Sequence, residues 1–375
     1  MRQTIRRQLG AHAASLAFGL ALVLGLAMTG AVFMAERRSQ VVEFEHSADQ
    51  AVDRVLSRLD RHVILLRATK GLFDAAENGV SHDKFSRFVG SVDIMSELKG
   101  IQGIGFARMM PAGAEAQAAA EVATHYGQAV AVRPETSLPL RTPIVLLEPP
   151  DQRNLAALGY DMYAEPVRRA AMDQAIATDR PQITAPVELV QEITDEKQAG
   201  FLVYLPLNNP RLPRMGDSPV AGFVYAPFRA GDLIRAAMED GEALPVALKV
   251  LDVDANRAIV HADPGFEAAD GLKTSRLIEV MGRNWAFQLR DTSTVPLLRR
   301  HYGSLLLGVI SLMFASAAAL AITARQQEAA QARAVAAASA REAEYRGMLL
   351  QEMKHRSKNH LARIQSIARQ SARGA

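Results

Sequence analysis

The stretch EMKHRSKNH, residues 352–360, sets His355 among cations, with Glu352 three residues before it and Asn359 four after. Neutral imidazole is a nucleophile near pH 7. On a helix at about 100° per residue, Leu350, Met353, Leu361, Ile364 and Ala368 share one face, and His355 points about 160° away from it. Asn359 lies one turn further on the same outer side. Glu352 is close enough to touch the ring. The spacing offers His355 to solvent or to a partner, not to a core. A solvated surface histidine would have the same spacing.

Asp161 is the second candidate. It lies between a strand end and a helix that begins near Pro166. A carboxylate on such a turn can accept hydrogen bonds from an N–H ligand. It can equally cap the helix, or pair with Arg168 or Arg169. His125 and His261 stand alone, with no second ligand at metal spacing, and read as surface or loop residues; no metal site is expected. Gly-x-Ser-x-Gly, His-Glu-x-x-His and Walker patterns are missing, so this region reads as a binding module.

The elements that must position these residues begin with two apolar runs. Residues 13–35 and 302–324 each hold about 23 residues without a charge, enough to cross a bilayer as a helix. Arg2, Arg6 and Arg7 before the first run place the N-terminus in the cytoplasm, and the second run returns the chain to that side. Arg299, Arg300 and Arg325 flank the second run without deciding its orientation. Between the runs, residues 36–76 read as one long helix, with Val41, Val42, Phe44, Ala48, Ala51, Val52, Val55, Leu56, Leu59, Val63, Leu66 and Ala68 at three- and four-residue spacing. Such a stalk can pair with its copy.

Beyond the stalk the pattern is mixed. Strands are expected at 100–110, in RTPIVLLEPP, at 200–207 and at 220–228, and helices at 114–127 and from Pro166 onward. Residues 244–292 read as a strand meander turning at Asp254–Asn256 and at Gly282–Asn284, with Trp285 in its core. After the second run, an alanine-rich stretch with no glycine before Gly347 reads as a continuous helical rod. Lys and Arg total 43 against 40 Asp and Glu, so no nucleic-acid partner is indicated. The absence of cysteine excludes disulfides and thiol chemistry.

Residues from about 70 to 265 resemble the CHASE domain, an extracellular sensor module. The matching stretches are GIQGIGFARMM, LLEPPDQRNLAALGYDMYAEPVRRAAMDQA, PQITAPVELVQE and QAGFLVYLPL. The resemblance implies an α+β fold of two tandem PAS-like units on a long stalk helix. It also implies a small-molecule ligand, contacted by Asp161 and by the backbone at Ile183, with Thr184, Gln191 and Arg168 around the pocket. Ligand identity stays open.

The closing stretch resembles the phosphoacceptor helix of HWE-type histidine kinases. Leu349, Leu350, Glu352, His355, Arg356, Lys358, Asn359, Leu361, Ala362 and IQSIARQ carry the match. The resemblance implies that His355 takes the γ-phosphoryl group of ATP and passes it to an aspartate on a response regulator, in a homodimer. Glu352 would hold the ring's other N–H, and Arg356 and Lys358 would attract phosphate oxygens. ATP would be bound by a domain that should follow this helix. With the sequence ending at Ala375, either a longer kinase or a shortened product is expected. A non-catalytic receptor or scaffold working with a separate kinase is the alternative.

The expected order is a cytoplasmic N-terminus (1–10), a membrane helix (11–35), the stalk (36–80), a membrane-distal PAS-like unit (81–240) and a membrane-proximal one (241–300). A second membrane helix (302–324), a signalling linker (325–347) and the phosphoacceptor helix (348–375) follow. The protein is expected in the cell inner membrane, with its sensor in the periplasm.

Overall fold

The computed structural model describes residues 12–76, 79–91, 99–192, 198–293 and 301–371. The cationic flanks Arg2, Arg6, Arg7, Arg299 and Arg300 fall outside them, as does the segment after residue 371. The chain divides into two compact units, residues 39–294 and residues 1–38 with 295–375.

Helix α1, Ala13–Ala75, supplies the stalk to the first of these units. Phe44, Ala48, Ala51, Val52, Val55, Leu59, Leu66 and Phe73 form its buried stripe, as their spacing requires. Val41, Val42 and Ala68 were expected in that stripe and are exposed instead. Polar residues enter it too. Arg58, 4% exposed, is held there by the carbonyl of Lys99 and the carboxylate of Asp240. Thr69 is buried by bonding back to the Leu65 carbonyl.

Helix α2, His82–Ser91, leads to strands β1, Ile104–Arg108, and β2, Met110–Pro111. Helix α3, Glu115–Tyr126, stops at Gly127, whose φ of 73° is a left-handed value that glycine adopts without a Cβ clash. Then come β3, Leu140–Arg141, β4, Ile144–Glu148, helix α4, Gln152–Ala157, a 3-10 turn, Met162–Ala164, and helix α5, Pro166–Thr178. Strands β5, Gln182–Ile183, β6, Gly200–Leu207, and β7, Gly222–Arg229, complete an antiparallel sheet in the order β4-β1-β7-β6-β5. β6 is buried throughout and β7 up to its last residue, which explains their unbroken apolar runs. One sheet face meets α1 through Phe73 on Phe106 and His62 on Phe228. The other meets the 3-10 turn through Tyr204, whose hydroxyl donates to the sulfur of Met162.

Helix α6, Ala230–Glu239, joins this sheet to a second one. Its strands are β8, Val246–Asp252, β9, Ala258–Ala262, β10, Lys273–Val280, and β11, Arg283–Asp291, in the order β10-β11-β8-β9. The β10–β11 loop is Met281–Gly282, one or two residues earlier than the sequence suggested. Both residues have positive φ, 45° and 84°, the conformation that a two-residue hairpin matched to strand twist demands. Trp285, 1% exposed, meets Phe201 of the first sheet edge-on at 5.5 Å. The two sheets therefore share one apolar core.

The second unit contains the start of α1 and helix α7, Tyr302–Ser371. Both helices are long and apolar enough to cross a membrane. They approach through small residues, Gly25 against Ser311 and Gly308 against Thr29, as close helix packing in lipid favours. Glu36 accepts from the N–H and hydroxyl of Ser304 at 3.1 and 2.9 Å, satisfying an open donor in the first turn of α7.

Candidate functional site

Asp161 is fully buried. Its Oδ1 accepts from the N–H of Thr142 at 2.6 Å and of Tyr163 at 3.1 Å. The side chain thus caps the 3-10 turn, whereas the N-cap of α5 is Glu165. Oδ2 has no hydrogen-bond partner among the described residues, and Nε of Arg141 stands 3.9 Å from it. Burial pushes the Asp161 carboxyl above its ordinary value, outweighing the two backbone donors.

The sequence allowed pairing with Arg168 or Arg169, and the structure shows a different arrangement. Arg168, 2% exposed, donates to the carbonyl of Glu188 at 2.9 Å and lies over the Tyr160 ring at 4.9 Å. Arg169 donates to the carbonyl of Tyr163. Both guanidiniums turn away because the first turn of α5 points them at loop carbonyls. The charge near Asp161 comes from Arg141, which sequence reading missed. Its other donors hold Glu115 and the carbonyls of Thr136 and Leu138. Arg141, Glu115, Thr136 and the small side chains of Ala116, Ala119 and Ala131 line a crevice of about 520 Å³.

Ile183 and Thr184 lie at the β5 edge. The Ile183 N–H donates to the carbonyl of Met281 at 3.2 Å, so that backbone donor is occupied. Ile183 pairs with Val203 and Gln182 with Tyr204, so alternation puts the Ile183 side chain on the α1 face, opposite Tyr204. Thr184 is buried, and its hydroxyl accepts from the Leu202 N–H at 3.0 Å. Gln191 is buried beside Glu192, whose carboxylate meets Arg229 at 2.8 Å. Tyr204 and Tyr225 pair across β6 and β7 on the face opposite Ile183, and burial pushes both hydroxyls up. Asp161 lies beside Arg141, which lines the crevice, and next in the chain to Tyr160, over which Arg168 rests.

His125 and His261 are not isolated. His125 stands 3.7 Å from Glu121, and His261 stands 2.9 Å from Asp263; both are half-buried. Among the described residues, no cluster of three or more suitable side chains could hold a metal ion.

His355 is exposed on α7, as its helical angle required. Asn359 Nδ2 lies 3.3 Å from its Nδ1. Glu352 was expected at the ring, but it accepts from Arg356 Nη2 at 2.8 Å and Nε at 3.2 Å. The i,i+4 spacing matches a carboxylate to a guanidinium better than i,i+3 matches it to the ring. Arg356 is accordingly engaged, and Lys354 and Lys358 are exposed cations nearby. Leu350, Met353, Leu361 and Ile364 are 59–67% exposed, so the apolar stripe has no cover among the described residues.

Two family models match. The CHASE domain model covers residues 78–260, and the HWE histidine kinase model covers residues 352–375. No curated protein matches the chain. Among solved structures, an extracellular ligand binding receptor from Desulfohalobium retbaense DSM5692 is 12% identical with a TM-score of 0.39, over 66% of this chain and 39% of that one. A methyl-accepting chemotaxis protein X is 12% identical with a TM-score of 0.36, over 68% of this chain and 98% of that one. The chain thus spans well under half of the first of these structures. Two helices able to cross a membrane flank the sensor, and the chain carries, in order, a CHASE domain and an HWE histidine kinase segment, the arrangement of a CHASE-containing HWE-type sensor kinase.

Proposed function

We propose that this protein senses a small molecule outside the cell inner membrane and controls phosphorylation of His355. The HWE segment around an exposed His355 carries the reading. A ring nitrogen of neutral His355 attacks the γ-phosphorus of ATP, a P–N bond forms, and the bond to ADP breaks. The ring proton then leaves to solvent. An aspartate of a response regulator next takes the phosphoryl group. Asn359 fixes the ring from Nδ1, and Lys358 draws the phosphate oxygens. Glu352 holds Arg356 in place. ATP is supplied by a nucleotide-binding domain acting on this helix.

The ligand site lies in the periplasmic sensor, built as two PAS-like units; the five- and four-stranded antiparallel sheets support that division. Asp161 offers Oδ2 to an N–H of the ligand, and Arg168, Thr184 and Gln191 enclose it with the Ile183 carbonyl. Two copies pair through their stalks and through the uncovered stripe of α7. Ligand binding shifts that pair between two arrangements that the ligand distinguishes by affinity.

The test is phosphoryl transfer from γ-labelled ATP to the full chain, supplied with a complete kinase module. An acid-labile, base-stable label that vanishes in His355→Gln is expected. A label that persists in that variant overturns the assignment.

A further inference from the structure

At the outer edge of the five-stranded sheet, side chains from three elements meet around one carboxylate. Glu148, the last residue of β4, is 3% exposed. Its Oε1 lies 2.7 Å from Nε2 of His82, the first residue of α2. Its Oε2 accepts from the hydroxyl of Ser86, one turn further along that helix, at 3.1 Å. The His82 ring rests on Tyr126, at the end of α3, with centroids 4.7 Å apart. The Tyr126 hydroxyl donates to the Leu147 carbonyl at 3.1 Å and accepts from the Leu147 N–H at 2.9 Å.

The groups facing the pair are few. α2 contributes His82 and Ser86, and α3 contributes Tyr126. β1 presents backbone, and the Asn154 amide of α4 is taken by the carbonyls of Gln102 and Pro149. Asp83, next to His82, is exposed. Among the described residues, the charge acting on Glu148 is that of His82. An ionised carboxylate buried with one hydroxyl and one ring N–H is poorly solvated. One added proton relieves that cost, whichever of the two side chains holds it.

We propose that His82 and Glu148 form an acid-sensitive clasp, which takes up one proton and locks α2 and α3 onto β4 as the medium around the sensor acidifies. Burial pushes Glu148 upward against the pull of His82, so uptake starts above the ordinary carboxylate range. A carboxyl raised in the fold favours the fold when protonated. The clasp's stabilisation is therefore complete below the ordinary value and is lost as pH rises through the raised one. The strand end it holds continues through Pro149, whose carbonyl accepts from Asn154, toward the turn carrying Asp161. Protons would thus set the stiffness of the segment that leads to the ligand site.

The experiment is thermal unfolding of the full chain in detergent micelles, followed by the fluorescence of Trp285, the only tryptophan. Between about pH 8 and about pH 4, which spans the ordinary carboxylate value, the wild-type midpoint should rise by about 2–4 °C more than that of Glu148→Gln. Equal pH dependence in the two proteins overturns the clasp. If Glu148→Gln does not fold, the ring-proton resonance of His82, assigned by its loss in His82→Gln, gives the answer. A proton uptake over that range that also shifts the Tyr126 ring signals supports the clasp. His82 and Tyr126 ring signals that both stay fixed over that range overturn it.

Discussion

Asn359 Nδ2 stands 3.3 Å from Nδ1 of His355, one helical turn away, while Glu352 binds Arg356. With the amide turned over, its carbonyl accepts from Nδ1–H, and Nε2 is left with a free lone pair. Either orientation fixes the tautomer and rotation of a ring that no other described residue holds.

Asn359→Ala should therefore slow phosphorylation of His355 about fivefold, the worth of one hydrogen bond of about 1 kcal/mol. Glu352→Gln should change it less than about twofold, since an exposed ion pair contributes little. Initial rates of acid-labile label, with a complete kinase module present, separate the two. A larger loss in Glu352→Gln would return the ring-holding role to the glutamate.

Asp161 separates two roles within one carboxylate. Oδ1 serves the N–H groups of Thr142 and Tyr163, and Oδ2 has no hydrogen bond among the described residues, only Arg141 at 3.9 Å. Asp161→Asn should keep the cap and fold at least as stably at neutral pH, because the wild-type carboxyl is raised by burial and favours the fold only as pH falls. It should still lose the ligand response. Asp161→Ala should cost about 1–3 kcal/mol by stripping two buried donors of their acceptor. Chemical denaturation read at Trp285, beside a signalling assay, checks both.

Glu121 has the opposite sign. Its burial works against ionisation, but the His125 ring at 3.7 Å and hydrogen bonds from Arg108 hold the carboxyl down to about 2. The stability it contributes is present above the ordinary carboxylate value and is lost as pH falls toward about 2. Glu121→Gln should cost about 1–3 kcal/mol at neutral pH and flatten the acid limb of the unfolding curve. An unchanged acid limb would count against it.

Gly282→Ala should cost about 1–2 kcal/mol for its left-handed φ alone, and more because a Cβ there meets the Gln182 amide. Unfolding of both sheets should remain a single transition, since they share a core. Two separated transitions would show that the hairpin tip is what joins them.

The parts of this architecture that rest on local pattern were legible in the sequence. The stalk stripe and the outward angle of His355 follow from a period of 3.6, and β6 and β7 from unbroken apolar runs of strand length. What was not legible depends on distant partners. Arg141 reaches Glu115 and Asp161, and His82 reaches Glu148, across separations that no spacing rule connects. His125 and His261 looked solitary because their carboxylates gain meaning only once a helix or strand brings them alongside. The occupied N–H of Ile183 depends on a hairpin tip about a hundred residues later in the chain. Glu352 was misread for a subtler reason, as two partners stood within reach and the better-matched one prevailed.

The hydroxyl of Tyr126 has a consequence for how copies of this sensor can meet. It occupies both backbone groups of Leu147 on the outer side of β4, and residues 159–160 occupy those of Ile144. At the opposite end of the sheet, Met281 covers the N–H of Ile183. Strand edges with open donors and acceptors are templates for pairing with another chain, and here a phenol, a loop and a hairpin tip blunt them. The five-stranded sheet is thereby shielded from growing into a neighbour's.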